Sequence, residues 1–340
     1  MNNLSTICID LAKTVFQVAL INKHGKLVSN QKVSQLKLIS IVAQHPKAVV
    51  CMETCSTAHY WGRKFQQAGH KVLLVPAQIA AKYRSGNKND PNDALAIYEA
   101  SQRTNIHFVP VKTIEQQDLA SLLTLREGYI KQRTQLSNRI RGLAMEYGVK
   151  FPVGIHSLRK QLPFELENAE NEFTDTARFI LHNLKEQLAA LDTPIDEVTQ
   201  TLTHLAKQNE QCKLLVSLPG ISWITASALV AKLGNASSYK CGRDASASIG
   251  LVPAHTGSGG KNVNLGITKR GDRYLRSLLV HGARAVVSRV EGKSDPLSLW
   301  IRGLLEKNHM NKVVIALANK TVRMACAMLK SHQPYRLQLS

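Results

Sequence analysis

Four carboxylates stand where a metal site on a β-sheet would need them. Asp10 closes the β-branched run 6–10, and Glu53 closes the apolar run Val49-Val50-Cys51-Met52. A carboxylate ending a strand of an α/β sheet lies at the edge where ligands bind, and the two acids meet if their strands are neighbours. Asp90 and Asp93 flank Pro91-Asn92 ahead of a helical stretch, 94–100. Pro91 suits the first helical position, which makes Asp90 the cap and puts Asp93 in the first turn. Mg2+ takes hard oxygen donors from separate segments, together with phosphate oxygens and water, so the four together read as a metal site for phosphodiester chemistry. Singly, each acid has a plainer role: a turn former at Asp10, a surface charge at Glu53, and helix-dipole partners at Asp90 and Asp93.

A second constellation is basic. Lys261, Lys269, Arg270, Arg273, Arg276, Arg284, Arg289 and Lys293 are offset in their stretch only by Asp272 and Glu291. A helix over 273–290 puts Arg273, Arg276 and Arg284 on one face and Leu275, Leu278, Leu279 and Val286 opposite, so one side packs while the other follows a phosphate backbone. Upstream, Leu218-Pro219-Gly220-Ile221 lies between an apolar helix end and a helix over 224–233 closed by Gly234. It has the form of a helix-hairpin-helix turn, whose backbone N–H groups, that of Gly220 included, can meet a phosphate. In His255-Thr256-Gly257-Ser258-Gly259-Gly260-Lys261, the glycines let the backbone approach a substrate, and Lys261 can stabilise developing negative charge. Composition alone makes Ser258 a flexible-loop residue rather than a nucleophile.

These residues need a frame. Runs 6–10, 16–21 and 27–33 read as a three-stranded meander with a turn at His24-Gly25, followed by a helix over 36–44, a strand over 48–52, a helix over 58–68 and a strand over 72–75. That is a mixed sheet covered by helices. A long helical stretch follows over 119–147. Leu181, Leu184, Leu188, Leu191, Ile195, Val198, Leu202 and Leu205 then form a 3,4-spaced coiled-coil seam, which Pro194 should kink or split into two helices restarting at Thr193-Pro194. Packing within one chain and a dimer arm both satisfy that seam. After residue 210 come the hairpin turn, a Gly-rich loop over 257–260 and helices over 273–290 and 312–329. The expected fold is α/β: an N-terminal RNase H-like mixed sheet (1–110), a central helical coiled coil (111–210) and a mainly α C-terminal domain with a helix-hairpin-helix-like unit (211–340).

Composition narrows the partners. The 340 residues carry a net charge of +20 and a pI near 9.8, which calls for an acidic partner, nucleic acid by default. An anionic membrane attracts the same charge, but no apolar run reaches transmembrane length. Residues 1–6 carry no Lys or Arg and lead straight into a strand, which does not read as a signal peptide, so a cytoplasmic chain is expected. Six cysteines, at 8, 51, 55, 212, 241 and 326, show no paired zinc spacing and read as reduced, buried, small apolar residues.

The motifs together resemble a known family, the DEDD transposases, which include pilin-gene DNA invertases and insertion-sequence recombinases guided by a bridge or seeker RNA. The resemblance spans nearly the whole chain. It rests on Ile-Cys-Ile-Asp10, Met-Glu53-Thr, Asn89-Asp90-Pro91-Asn92-Asp93-Ala94, Leu218-Pro219-Gly220-Ile221, Gly250-Leu251-Val252-Pro253, Ser258-Gly259-Gly260-Lys261 and Gly266-Ile267-Thr268-Lys269-Arg270-Gly271. It implies that Asp10, Glu53, Asp90 and Asp93 are a RuvC-like catalytic tetrad binding Mg2+, and that Ser258 is the family's C-terminal serine nucleophile. Gly257 stands where many relatives have another serine, which leaves Ser258 alone in that role. Asp272 follows Gly271 where relatives often have Asn, an exchange between two helix caps.

The resemblance further implies a transposase that cuts and joins DNA through a phosphoserine intermediate, takes its targets from a structured guide RNA, and assembles as a homodimer or homotetramer around the element ends and target. Two other readings use the same residues. One is a structure-selective RuvC-type nuclease in which metal-activated water attacks and Ser258 is only a loop residue. The other is a nucleic-acid-binding protein without catalysis.

Overall fold

The computed structural model describes residues 4–87, 89–258 and 261–335. These fall into two compact units, one formed by residues 1–116 with 236–241 and the other by residues 117–235 with 242–340.

The first unit is built on five strands: β1 (Leu4–Asp10), β2 (Val15–Asn22), β3 (Leu27–Ser34), β4 (Val49–Glu53) and β5 (Val72–Val75). Their order is β3-β2-β1-β4-β5, antiparallel from β1 to β3 and parallel from β1 through β4 to β5. This mixed α/β sheet is consistent with the RNase H-like core expected from the meander and the helix-separated strands. Strand alternation sorts the side chains. Ile7, Ile9, Phe16, Val18, Val50 and Met52 belong to one core, covered by α1 (Gln35–Ala43) and α2 (Ala58–Gln67), where Trp61 packs edge-on against Phe16. Each such fully buried side chain contributes about 1.5–3 kcal/mol relative to exposure. Cys8, Ala19, Ile21 and Cys51 look the other way, onto a core completed by Ala94, Ile97 and Ala100 of α4 (Asp90–Ser101). A short helix, α3 (Ala77–Ala80), lies between β5 and α4.

The start of α4 differs from the sequence reading. Asn89, not Asp90, is the N-cap, its side chain accepting from the backbone N–H of Asn92, and Asp90 is the first helical residue with Pro91 behind it. The Asp90 carboxylate is thereby released from capping.

The second unit is helical: α5 (Ile114–Met145, its first three residues clustering with the first unit), α6 (Ile155–Glu167), α7 (Asp175–Ala190), α8 (Asp192–Gln208), α9 (Glu210–Val216), α10 (Trp223–Leu233) and α11 (Gly242–Ile249). After a hairpin of β6 (Pro253–Ser258) and β7 (Lys261–Ile267) come α12 (Arg273–Val287), α13 (Pro296–Leu305) and α14 (Met310–Ser331). The 181–205 seam is not a continuous coiled coil. It breaks at Leu191, one residue before α8, and Pro194 sits in the new first turn, where its missing N–H costs nothing. Leu181, Leu184 and Leu188 are buried against Leu136, Ile140 and Leu158 of α5 and α6, while Ile195, Val198 and Leu202 are buried on α8, which packs on α9 and α10. The seam is consumed inside the chain.

The expected Gly-rich loop is also corrected: Gly257 and Ser258 are the last residues of a strand, while Gly259 and Gly260 lie outside the described residues. Helix α13 had no counterpart in the sequence reading. All six cysteines are free thiols, but Cys55 and Cys241 are exposed rather than buried. No helix is long and apolar enough to cross a membrane among the described residues.

Candidate active site

Strand register brings the first two acids together. Thr6 to Ile9 of β1 pair with Val49 to Met52 of β4, so Asp10 and Glu53 are the next residues on neighbouring parallel strands, both at the C-terminal edge. Their backbones are about 4.8 Å apart at that spacing. Alternation puts both on the face that bears Cys8 and Cys51, the face covered by α4.

On α4 the residues packed on the sheet, Ala94, Ile97 and Ala100, continue backwards at helical spacing to Asp93 and Asp90. All four carboxylates are therefore on one side of the sheet. They are not gathered into one cluster: among the described residues no group of three His, Cys, Asp or Glu could hold a metal ion. Two cations hold the helical pair. Lys32 Nζ is 2.8 Å from Asp90, an exposed pair of small energetic weight, and Arg84 Nε donates to Asp93 in a much more buried one. Asp10 stands opposite Gln17, which is buried; Gln17 Nε2 donates to Asn30 Oδ1 at 2.6 Å, and Asn30 Nδ2 to the Pro91 carbonyl at 3.0 Å. This chain ties the strand beside Asp10 to the first turn that carries Asp90 and Asp93. Gln17, Asn30 and Lys32 on the strands and Arg84 in the loop before α4 were missed in the sequence reading, because a polar residue gives no signal until its neighbours in space are known.

The donors suit a hard divalent cation in chemical type, though not in their present spacing. All four are carboxylates, and Gln17 Oε1, beside Asp10, is a buried acceptor with no hydrogen-bond donor among the described residues, an arrangement that a cation or its water would satisfy.

In the second unit, Ser258 ends β6 and pairs in register with Lys261 at the start of β7. Among the hairpin's described side chains, Val263 and Leu265 are more than half accessible. Its stem is fixed. Thr268 and Lys269 donate backbone N–H bonds to the carbonyls of Val252 and Gly250, and Arg276 Nη1 donates to the carbonyls of Ile249 (2.7 Å) and Arg270 (3.2 Å). Asp272 caps α12 by accepting from the Leu275 N–H at 2.9 Å. Arg273, Lys269 and Arg270 are exposed at this stem; Arg284 is exposed one face further along and donates to Asn311 Oδ1. Of the arginines expected along a phosphate backbone, Arg276 is thus committed to the protein's own carbonyls.

Gly220 has a packing reason to be glycine. Its φ is +81°, and a Cβ there would lie 2.7 Å from the carbonyl oxygen of Gly282 on α12. The tight turn between α9 and α10 is as expected, and it is seated on that helix.

A mixed sheet with acidic residues at one edge and a helical unit with exposed basic residues are consistent with an enzyme acting on nucleic acid. Comparison with known proteins gives the family. A transposase model of the DEDD type matches residues 7–148, and that of the Transposase IS116/IS110/IS902 family matches residues 212–296. The chain is 39% identical over 336 residues to the transposase for insertion sequence element IS1111A of Coxiella burnetii, covering 99% of this chain and 92% of the relative. It is 37% identical to the transposase for insertion sequence element IS1328 of Yersinia enterocolitica, over 96% of each chain, and 24% identical to the pilin gene-inverting protein of Moraxella bovis, over 97% of each. The chain belongs to the IS116/IS110/IS902 family of insertion-sequence transposases, DNA-cutting and DNA-joining enzymes, and its DEDD class implies a divalent metal.

Proposed function

We propose that this transposase cuts and joins DNA through a phosphoserine formed at Ser258, with Asp10, Glu53, Asp90 and Asp93 as its Mg2+ ligands. The observation that carries the acidic half is the placement of all four carboxylates on one face of the sheet edge. The observation that supports the serine half is the stem of the hairpin, fixed by Arg276 and by backbone bonds.

In the reaction, the Ser258 hydroxyl oxygen forms a bond to phosphorus as the bond to one sugar oxygen breaks, and the serine proton ends on the released sugar hydroxyl. Attack by a hydroxyl of a second DNA end reverses the exchange and frees the serine, so no bond energy is lost to water. Lys261, Lys269, Arg270, Arg273 and Arg284 supply positive charge to the backbone being exchanged; Gly220 and Arg276 act by positioning. When bound, Mg2+ would supply charge neutralisation at the phosphoryl oxygens. For the ion to be held by Asp90 and Asp93, Lys32 and Arg84 must give up those carboxylates. A structured guide RNA and a homodimer or homotetramer complete the proposal, within a cytoplasmic setting and with the functional segments 1–110, 111–210 and 211–340.

The test is denaturing gel analysis of the protein incubated with Mg2+, element DNA ends and RNA. A protease-sensitive DNA adduct formed by wild type and not by Ser258→Ala is expected. Equal cleavage by both proteins without an adduct would replace the serine mechanism with a metal-dependent nuclease. Asp10→Asn should bind DNA but lose strand exchange; full activity of that variant would remove the metal assignment.

A further inference from the structure

Two of the cysteines have no part in the chemistry above. Cys8 and Cys51 are directly opposed in the parallel register of β1 and β4, and both are buried. Neighbouring strands hold such residues with Cα atoms about 4.8 Å apart, inside the window of roughly 4.4–6.8 Å that a disulfide spans. Of the two, Cys51 borders a cavity, while Cys8 is fully buried. A cavity of about 340 Å³ reaches Cys51, lined also by Thr6, Lys23, Lys71, Tyr98 and Ser101. Its polar lining and its volume admit a small hydrophilic reagent. The other two buried cysteines, Cys212 and Cys326, lie in the second unit, and the remaining two, Cys55 and Cys241, are exposed.

We propose that Cys51 and Cys8 form a peroxide-oxidised dithiol site, entered through this cavity, whose disulfide shuts down the acidic centre next to it. The Cys51 sulfur takes one oxygen from hydrogen peroxide, giving the sulfenic acid and one water. The Cys8 thiol then attacks the Cys51 sulfur; the S–S bond forms, the S–O bond breaks, and the hydroxyl leaves with the Cys8 proton as a second water. Two thiols are oxidised and one peroxide is reduced to two waters.

The consequence for the site follows from register. Cys8 and Cys51 precede Asp10 and Glu53 by two residues each, on the same face, about 7 Å along the strands. A disulfide needs its Cβ atoms about 3.8 Å apart, some 1 Å closer than strand spacing supplies, so closure draws β1 and β4 together beneath the carboxylates. Displacement by about 1 Å at a reacting centre lowers rates by about 100-fold. This last step rests on the acidic reading given above; the thiol chemistry does not.

The experiment uses the full chain, reduced, desalted and exposed to hydrogen peroxide, then alkylated, digested and mapped by mass spectrometry. A Cys8–Cys51 cross-linked peptide that dithiothreitol removes is expected, and in Cys8→Ser a dimedone adduct at Cys51. Oxidation of Cys55 and Cys241 with Cys8 and Cys51 both still alkylatable after unfolding would overturn the site. In parallel, Mg2+-dependent strand cleavage should fall by about 10- to 100-fold on oxidation, recover with dithiothreitol, and stay constant in Cys51→Ser. A disulfide that leaves cleavage unchanged would overturn the coupling. Full activity of Asp10→Asn would instead fault the acidic assignment and leave the thiol mapping as it stands.

Discussion

Gln17 donates its side-chain amide to Asn30 Oδ1 at 2.6 Å, and through that bond the strand opposite Asp10 is joined to the helix that carries Asp90 and Asp93. Gln17 is buried, so removing its partner leaves an amide donor without compensation in an interior where, among the described residues, its Oε1 already has no donor. Asn30→Ala should destabilise the protein by about 1–3 kcal/mol. It should also weaken Mg2+-dependent cleavage more than DNA binding, because the two pairs of carboxylates lose their connection. Denaturant titration with and without Mg2+, alongside gel-shift binding, checks both halves. Wild-type stability would show that the Gln17–Asn30 bond has no such role.

Arg273 and Arg276 are three residues apart on one helix and should behave differently. Arg273 is exposed, whereas Arg276 is bonded to the carbonyls of Ile249 and Arg270. Arg273→Ala should leave stability unchanged and reduce the slope of log affinity for DNA against log salt by about one. Arg276→Ala should cost about 1.5–3 kcal/mol of stability through loss of charged hydrogen bonds at the hairpin stem. Salt-dependent binding isotherms and thermal melts of the two variants separate these roles, and identical behaviour would refute the distinction.

Gly282 faces Gly220 across the contact between α12 and the hairpin turn. A Cβ on Gly282 would lie 2.0 Å from the Gly220 carbonyl oxygen, a collision between backbones that no rotamer relieves. Gly282→Ala should cost about 3 kcal/mol or more and lower soluble yield. Gly266→Ala, where nothing lies within 4 Å, should be neutral and serves as the control.

His59 supplies a pH dependence. Burial, then the charges of Lys112 and Arg63, pushes its pKa down from 6.5 to about 4, and its Nδ1 accepts the Lys112 backbone N–H at 3.2 Å. The folded state therefore keeps the ring neutral over a range in which the unfolded chain protonates it. The unfolded state binds more protons there, so the contribution is present above about pH 6.5 and lost as pH falls towards 4. Denaturant midpoints should fall between pH 7 and pH 5, and His59→Gln should flatten that part of the profile. An unchanged slope in the variant would place the effect elsewhere.

Most of the first unit was legible in the sequence, for a physical reason. Its strands β1, β2, β4 and β5 are rich in β-branched and apolar residues, so the alternation that fills two cores also marks their limits. Asp10 and Glu53 are legible by the same logic, because each ends such a run. What local pattern could not supply was pairing. That Ile9 lies beside Met52, that Gln17 lies opposite Asp10, and that Lys32 and Arg84 hold Asp90 and Asp93 depends on segments far apart in the chain. The same limit misplaced the helix cap, since Asn89 and Asp90 are equally good capping residues and only the folded backbone chooses between them.

In the second unit, helical spacing and the Pro194 break could be read directly, whereas the fate of the 181–205 seam could not. An apolar stripe says that something covers it, and tertiary packing decided that α5, α6, α9 and α10 of the same chain do so. The glycines around Ser258 looked like a flexible loop because flexibility is their local property. Long-range bonds from Thr268, Lys269 and Arg276 instead draw the segment into a hairpin. The sequence by itself determined the elements, the acidic and basic residue sets and the charge that selects a polyanion. Tertiary structure decided which cations hold the carboxylates, which arginine is structural and which thiols face each other, because each of those is a contact between residues that no local periodicity connects.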